Sequence, residues 1–165
     1  MKPPAKTSTV KCPDSFVVRV PKNTHSAMKR LAKHHGRSVN AEYLQAIANG
    51  LNGHDRVELL KTIMADRAGP KLADTVLAGV KHINGHDTAS GIMKFVIRYE
   101  DPLHRQVESA ADIIGRPRIF VIICCLTWWL NINAEISALF AAIEGNKLPP
   151  LTSHSLGHLT NAFST

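Results

Sequence analysis

Residues 15–21 read Ser-Phe-Val-Val-Arg-Val-Pro and residues 36–42 read Gly-Arg-Ser-Val-Asn-Ala-Glu, and these two stretches decide the fold of the first third of the chain. The first is a short β-branched run closed by a proline, which predicts a strand. Side chains alternate between the two faces of a strand, so we expect one apolar, buried face and one face open to a ligand. The buried face holds Phe16, Val18 and Val20, and the open face holds Ser15, Val17 and Arg19.

Two helices are predicted after this strand. Apolar residues then recur at helical spacing, and we expect Asn23 or Thr24 to cap the first helix. Gly36 is suited to end that helix, and Ser38 is suited to cap the next one, which ends at Asn52-Gly53.

The predicted strand has no partner within residues 1–54. A lone strand is unstable in water, so we expect a second copy of the chain to supply the partner by two-fold symmetry. The expected homodimer has a two-stranded antiparallel ribbon over four helices, and such a ribbon fits the major groove of DNA.

The strand, the first helix and the Gly-Arg-Ser-Val-Asn-x-Glu segment together resemble the ribbon-helix-helix DNA-binding family, in its Arc repressor-like branch. The resemblance needs no gaps over residues 15–51, about a quarter of the chain. It implies a sequence-specific, dimeric transcriptional regulator, most simply a repressor. We therefore expect a mainly α fold, with a ribbon-helix-helix domain at residues 15–53 followed by an α-helical domain.

The resemblance also implies roles for single residues. The positions that face bases are Ser15, Val17 and Arg19, and those that contact phosphates are Arg30, Ser38 and Val39. Arginine suits a bidentate pair with guanine, whereas Val17 stands where an amide side chain is usual and offers only apolar contact, for example to a thymine methyl. A helix N-terminus binds phosphate through its free N–H groups.

A buried ion network is implied as well. Arg37 and Glu42 match two of its members, and the third position is Ala46, so we expect at most a structural ion pair.

Charge is distributed unevenly along the chain. Residues 1–54 contain nine Lys/Arg and two Asp/Glu, whereas residues 55–165 contain eleven of each. The whole excess of +7 therefore lies in the first third, which indicates a polyanionic partner for that module. Residues 1–14 are expected to be a flexible basic arm. The neutral remainder is expected to raise the oligomeric state rather than to read DNA.

Residues 55–146 predict a helical domain of unknown role, and residues 147–165 a loose tail. Helices are expected to open at Asp55 and at Asp101-Pro102, and further stripes run from Leu72 to Ile83 and from Ile136 to Ile143. Residues 92–99 and 119–125 fit either a strand or a helix. The apolar run Ile119–Leu130 favours a buried core helix or an oligomer interface over a membrane span. We find no internal repeat.

Signatures of catalysis and metal binding are not found in the sequence, so we expect no enzyme activity, cofactor or metal. The pairs His82/His86 and His154/His158 have a spacing that can bind metal on a helix, but the first spans a helix breaker and the second lies in the tail. The three cysteines form no disulfide pattern, and Cys124 and Cys125 are expected to be reduced core residues. With no apolar leader in residues 1–10, we expect a cytoplasmic, nucleoid-associated protein with no membrane partner.

Two other functions share the same N-terminal module. One is an antitoxin that represses its own operon and captures a toxin through the rest of the chain. The other is an inhibitor or effector protein tethered to DNA. The long apolar second part argues against the antitoxin, since antitoxin tails are typically short and disordered.

Overall fold

A computed structural model describes residues 15–146 of the chain. The elements, in order, are β1 (Ser15–Pro21), α1 (Lys22–His34), α2 (Val39–Asn52), α3 (His54–Ala68), α4 (Pro70–Ala78), β2 (Ile92–Arg98), α5 (Asp101–Ile114) and α6 (Arg118–Gly145). The mainly α fold with an N-terminal strand followed by helices is confirmed. The basic arm and the tail lie outside the described residues.

The N-terminal elements follow the sequence pattern closely. In β1 the side chains of Val18 and Val20 are fully buried. Gly36 adopts a φ of 66°, the left-handed conformation that ends a helix at little cost to glycine. The Ser38 hydroxyl accepts a hydrogen bond from the amide of Ala41 at 3.1 Å, which caps α2 as expected.

The start of α1 differs from the prediction. Neither Asn23 nor Thr24 caps it, because the helix begins at Lys22 directly after Pro21. The Lys22 amide already has a partner, since it donates to the carbonyl of Gly91 at 2.9 Å. The chain therefore passes from strand to helix without a capping turn.

The partner of β1 is a strand of the same chain. β1 and β2 pair antiparallel, with Ser15 opposite Arg98, Val17 opposite Val96 and Pro21 opposite Ile92. The expectation that a second chain must supply this strand is therefore wrong. The segment 92–99 fits either strand or helix by sequence, and its residues 92–98 form the second strand of the ribbon.

The second half of the fold repeats the first, and our expectation of no internal repeat is also wrong. Phe16 and Phe95 are 79 residues apart, and so are the first residues of α1 and α5 and those of α2 and α6. Gly115, 79 residues after Gly36, ends α5 with a φ of 63°. Within β1, α1, α2 and the turn between the helices, the residues that are identical at this offset are Phe16/Phe95, Val17/Val96, Arg19/Arg98, His25/His104, Ala32/Ala111, Gly36/Gly115, Arg37/Arg116, Leu51/Leu130 and Asn52/Asn131.

One hydrophobic core joins the two repeats. Val18 and Met28 of the first repeat are buried in it together with Ile97 and Leu126 of the second. The boundary that the sequence suggested near residue 54 therefore does not separate two cores. At the crossing of α2 and α6 the helices approach so closely that a Cβ at Gly50 would lie 2.7 Å from Cys125 Sγ.

The two apolar segments at the end of the described chain form one helix. Ile119–Leu130 and the stripe from Ile136 to Ile143 are parts of the 28-residue helix α6. By length and composition α6 is the one helix within residues 15–146 that would suffice to cross a bilayer. Here it packs against α1 to α5 and lies across the shared core.

Helices α3 and α4 connect the repeats, and both pack against α6. Gly69 separates α3 from α4, which begins at Pro70. Because α4 stops at Ala78, Val80 and Ile83 lie outside the helix that their spacing predicted. Asn131 of α6 holds the following segment, since its side chain both accepts from the amide and donates to the carbonyl of Ile83.

A polar network fastens α3 to α6. Lys61 Nζ lies 3.0 Å from Glu58 and 3.2 Å from Glu135, and Trp128 Nε1 donates to Glu58 at 3.2 Å. Burial alone raises the pKa of Glu58, but hydrogen bonds from Lys61 and Trp128 and the charge of Lys61 outweigh it and lower that pKa. The network therefore favours the ionised carboxylate.

Candidate nucleic-acid interface

The exposed face of the ribbon is built from both strands. Val17 is 51% exposed and its partner Val96 is 46% exposed, in the middle of the ribbon. On either side of them, Arg19 lies opposite Lys94, and Ser15 lies opposite Arg98. We call this set the ribbon face, and it consists of Ser15, Val17, Arg19, Lys94, Val96 and Arg98.

The ribbon face is positively charged. It carries the cations Arg19, Lys94 and Arg98, and none of its six residues is acidic. A narrow, exposed, cationic two-stranded ribbon has the shape and the charge to enter a DNA major groove.

The ribbon face has approximate two-fold symmetry. Every Cα pair joins residues whose numbers are mirrored about Val17 and Val96, and these two residues occupy the same place in the two repeats. Arg19 and Arg98 are likewise equivalent, so they extend to opposite sides of the centre. The symmetry breaks at one pair of equivalent positions, where the first repeat has Ser15 and the second has Lys94.

The N-terminus of α2 is held next to one end of the ribbon. Asn40 Nδ2 donates to the carbonyl of Arg98 at 3.1 Å, and the Arg98 amide donates to Asn40 Oδ1 at 2.9 Å. These two hydrogen bonds place Ser38 and Val39, the predicted phosphate contacts, close to the strand that carries Arg98. Ser38 is exposed and Val39 is half-buried.

The start of α6 is the corresponding position in the second repeat, and it has a different chemistry. Pro117 and Arg118 replace Ser38 and Val39 there, and no side chain caps the helix. Arg118 lies 2.8 Å from Glu108 and stacks over the ring of Phe16 at 5.1 Å. The equivalent helix starts of the two repeats therefore offer unlike groups to a DNA backbone.

The structure places Arg37 and Glu42 together in a larger network. Glu42 is fully buried, and Arg37 Nη1 lies 3.4 Å from its Oε2. The other oxygen, Oε1, is 2.9 Å from His35 Nδ1 and accepts a 2.7 Å hydrogen bond from Trp129 Nε1. Sequence reasoning missed His35 and Trp129, since Trp129 is 87 residues away from Glu42 in the chain.

Arg30 is exposed on α1 but is not grouped with Ser38 and Val39. It lines a cleft of about 400 Å³ together with Leu130 and Asn133 of α6. This cleft lies against the middle of the long helix rather than at its start.

The remaining candidate residues lie away from the ribbon. His82 Nε2 is 2.8 Å from Glu135 and lines a cleft of about 380 Å³ together with His86 and Cys124. Cys125 is buried as expected, whereas Cys124 is exposed. Burial raises the pKa of the Cys125 thiol to about 12. No group of three or more metal-binding side chains is found within residues 15–146, and His154 and His158 lie outside the described residues.

Three residues of the ribbon face were missed by sequence reasoning. Lys94, Val96 and Arg98 lie in the segment that was ambiguous between strand and helix. The signal that identifies them is the repeat itself, because Phe16-Val-Val-Arg19 reappears as Phe95-Val-Ile-Arg98. The net charge of residues 55–165 did not reveal Lys94 and Arg98 either, because acidic residues elsewhere in that segment cancel their positive charges.

Comparison with known proteins bears on the first repeat. Residues 11–58 match a family model described as an Arc-like DNA-binding domain. No curated protein and no solved structure matches the chain. The match includes all of β1, α1 and α2 and ends within α3. The first repeat of this chain is therefore similar to Arc-like DNA-binding domains over residues 11–58.

Proposed function

We propose that this protein is a sequence-specific transcriptional repressor that inserts its two-stranded ribbon into the major groove of DNA. The observation that supports the proposal is the cationic ribbon face, whose six residues include no carboxylate and whose β1 half lies within the Arc-like segment. Such a face gains affinity from phosphates and reads base edges at the same time.

Each residue of the first repeat has a role in this proposal. Arg19 donates two hydrogen bonds to the O6 and N7 of a guanine, and Ser15 bonds a neighbouring base edge. Val17 packs against a thymine methyl, and Ser38 and Val39 bind a phosphate through the N-terminus of α2. Arg30 adds a positive charge on α1, and we propose a backbone contact for it on that ground.

A repressor fits the second part of the chain better than an antitoxin does. Capture of a toxin needs a segment that is free to bind it, whereas β2, α5 and α6 are committed to the same core as the N-terminal elements. Purification from the native host separates the two, because an antitoxin brings a stoichiometric toxin with it. Because β2 supplies the partner of β1, a homodimer is not needed to complete the ribbon. Association of complete chains, including self-association through residues 55–146, and a cytoplasmic, nucleoid-associated location remain predictions.

The test of the proposal compares Arg19→Ala with Lys71→Ala. Lys71 is an exposed cation on α4, which contacts α3 and α6 but neither strand. The DNA is a set of duplexes selected by the full-length protein from a random pool. Loss of one guanine contact costs about 1–3 kcal/mol, so Arg19→Ala should bind roughly five- to 150-fold more weakly.

The control Lys71→Ala should bind these duplexes like the wild type, and both variants should keep the wild-type circular dichroism spectrum. If Arg19→Ala binds as tightly as Lys71→Ala, the ribbon does not read DNA and the proposal fails.

A further inference from the structure

The ribbon lies entirely within one chain. A ribbon made by two identical chains has two identical strands and must read a symmetric sequence. Here the two strands are β1 and β2, whose exposed residues differ. A single chain therefore carries a complete and asymmetric reading surface.

We propose that one chain binds one ribbon site in DNA as a monomer, that Lys94, Val96 and Arg98 read bases alongside Ser15, Val17 and Arg19, and that the site is not palindromic. This inference rests on the proposed function and names the DNA that the ribbon recognises.

The centre and the flanks of the site follow from the equivalent positions. Val17 and Val96 meet at the pseudo-two-fold axis and are both about half exposed, so the central base pairs are read through apolar contact with thymine methyl groups. Arg19 and Arg98 lie at equivalent positions on either side. Each takes a guanine, and the two guanines are on opposite strands of the DNA.

The polarity of the site follows from the one unlike pair. Ser15 occupies the position in the first repeat that Lys94 occupies in the second. Lys94 donates to guanine O6 and N7 and is positively charged, whereas the Ser15 hydroxyl either donates or accepts and therefore tolerates several bases. The half-site on the side of Arg19 and Lys94 is thus specified more strictly than the half-site on the side of Ser15 and Arg98.

The helix starts differ as well, but they contact the DNA backbone and so do not add to the sequence polarity of the site. At the end of the ribbon where Ser15 pairs with Arg98, Asn40 forms hydrogen bonds with the backbone of Arg98. Asn40 lies in the first turn of α2, whose cap is Ser38. The start of α6 presents Pro117 and Arg118 instead. Proline has no N–H to donate, so the two DNA backbones are gripped by different groups.

The first test is stoichiometric. The full-length protein is titrated into a selected duplex of about one helical turn, at a DNA concentration well above Kd, and the complex is weighed by sedimentation. We expect one chain per duplex. A complex that forms only with two chains per duplex would overturn the inference.

The second test compares Arg98→Ala with Arg19→Ala and Lys71→Ala on the selected duplexes. Arg98→Ala and Arg19→Ala should each weaken binding about five- to 150-fold, and each should relax the preference for a different one of the two guanines. If Arg19→Ala weakens binding while Arg98→Ala behaves like Lys71→Ala, β2 does not read DNA and this inference fails, although the proposed function stands. If neither variant differs from Lys71→Ala, the proposed function fails too.

The third test makes the ribbon face symmetric. Lys94→Ser gives both strands the same exposed residues at the three equivalent positions. Selection from the random pool should then return a palindromic site, in place of the asymmetric site chosen by the wild type. An unchanged asymmetric site would show that Lys94 does not contribute to the polarity.

Discussion

Glu42 shows what a single residue requires of the rest of the chain. Its carboxylate is fully buried, and burial of a charge is tolerated only when hydrogen bonds replace the lost water. Arg37, five residues before it, was predicted from the resemblance. His35 and Trp129 supply the shorter bonds, at 2.9 Å and 2.7 Å. Trp129 occupies the position in the second repeat that Gly50 occupies in the first, so its role depends on the pairing of the repeats.

The Trp129 hydrogen bond should contribute measurably to stability. Trp129→Phe leaves a buried carboxylate oxygen with one donor fewer, and hydrogen bonds to charged groups are worth about 1.5–3 kcal/mol. We expect a loss of about 2 kcal/mol in the free energy of unfolding, measured by urea denaturation of the full chain.

Trp128→Phe is the matched control for this prediction. Trp128 donates a 3.2 Å bond to Glu58, whose side chain is 42% exposed, so water replaces the lost donor and the cost should stay below about 1 kcal/mol. If the two variants lose the same free energy of unfolding, the hydrogen bond from Trp129 to Glu42 contributes no more to stability than an exposed one.

At the scale of elements, the sequence predicted correctly those features that depend on interactions between neighbouring residues. The alternation in β1, the left-handed Gly36 and the Ser38 cap depend on neighbours in sequence, and all three are confirmed. The partner strand was not predicted, because pairing depends on a segment 79 residues away.

The second repeat was hidden by the substitutions in its most specific part. Gly36 and Arg37 recur as Gly115 and Arg116, but Ser38, Val39 and Asn40 are replaced by Pro117, Arg118 and Ile119. A fold of this kind tolerates such changes as long as apolar residues keep their places in the core. Resemblance to the family was therefore visible in one half of the chain alone.

The ribbon pairing can be tested by disulfide formation at its centre. Because the amide and carbonyl of Arg98 bond to Asn40, Ser15 and Arg98 form a non-hydrogen-bonded pair, and alternation makes Val17 and Val96 another. Their Cα atoms are then about 4.5 Å apart, within the range of a disulfide. In a background with Cys12→Ser and Cys124→Ser, the variant Val17→Cys/Val96→Cys should oxidise to a cross-linked monomer.

The single variant Val17→Cys is the control for the cross-link. A ribbon made by two β1 strands would place the two copies of residue 17 opposite each other, and oxidation would give a covalent dimer. Non-reducing gel electrophoresis distinguishes the outcomes, and a covalent dimer from Val17→Cys at low protein concentration would contradict the intramolecular ribbon.

At the scale of the whole molecule, the net charge of a long segment did not show which of its charged residues lie on the ribbon face. The neutral charge of residues 55–165 suggested a part that does not approach DNA, yet Lys94 and Arg98 lie on the ribbon face. Net charge describes a segment, whereas recognition depends on which charges the fold brings to one surface. The same fold turns an expected two-chain unit into a single-chain unit with one core.

The single core makes a prediction about folding that needs no DNA. The full chain contains both strands and both helix pairs, so its folding is unimolecular and its melting temperature should not change over a hundredfold range of concentration. A fragment that ends at Gly53 lacks β2, α5 and α6, and therefore leaves the apolar sides of β1 and α2 uncovered, including Val18, Tyr43 and Ile47. The fragment can bury them only against another copy, so its melting temperature should rise with concentration.

Circular dichroism melts of both proteins make the measurement, with sedimentation at the lowest concentration to establish the mass. A full chain that loses its helical signal on dilution, as its mass falls to that of one chain, would show that the intramolecular ribbon does not suffice for folding. A full chain that associates at high concentration but keeps its fold as a monomer would agree with the single core, because association then adds to a structure that is already complete.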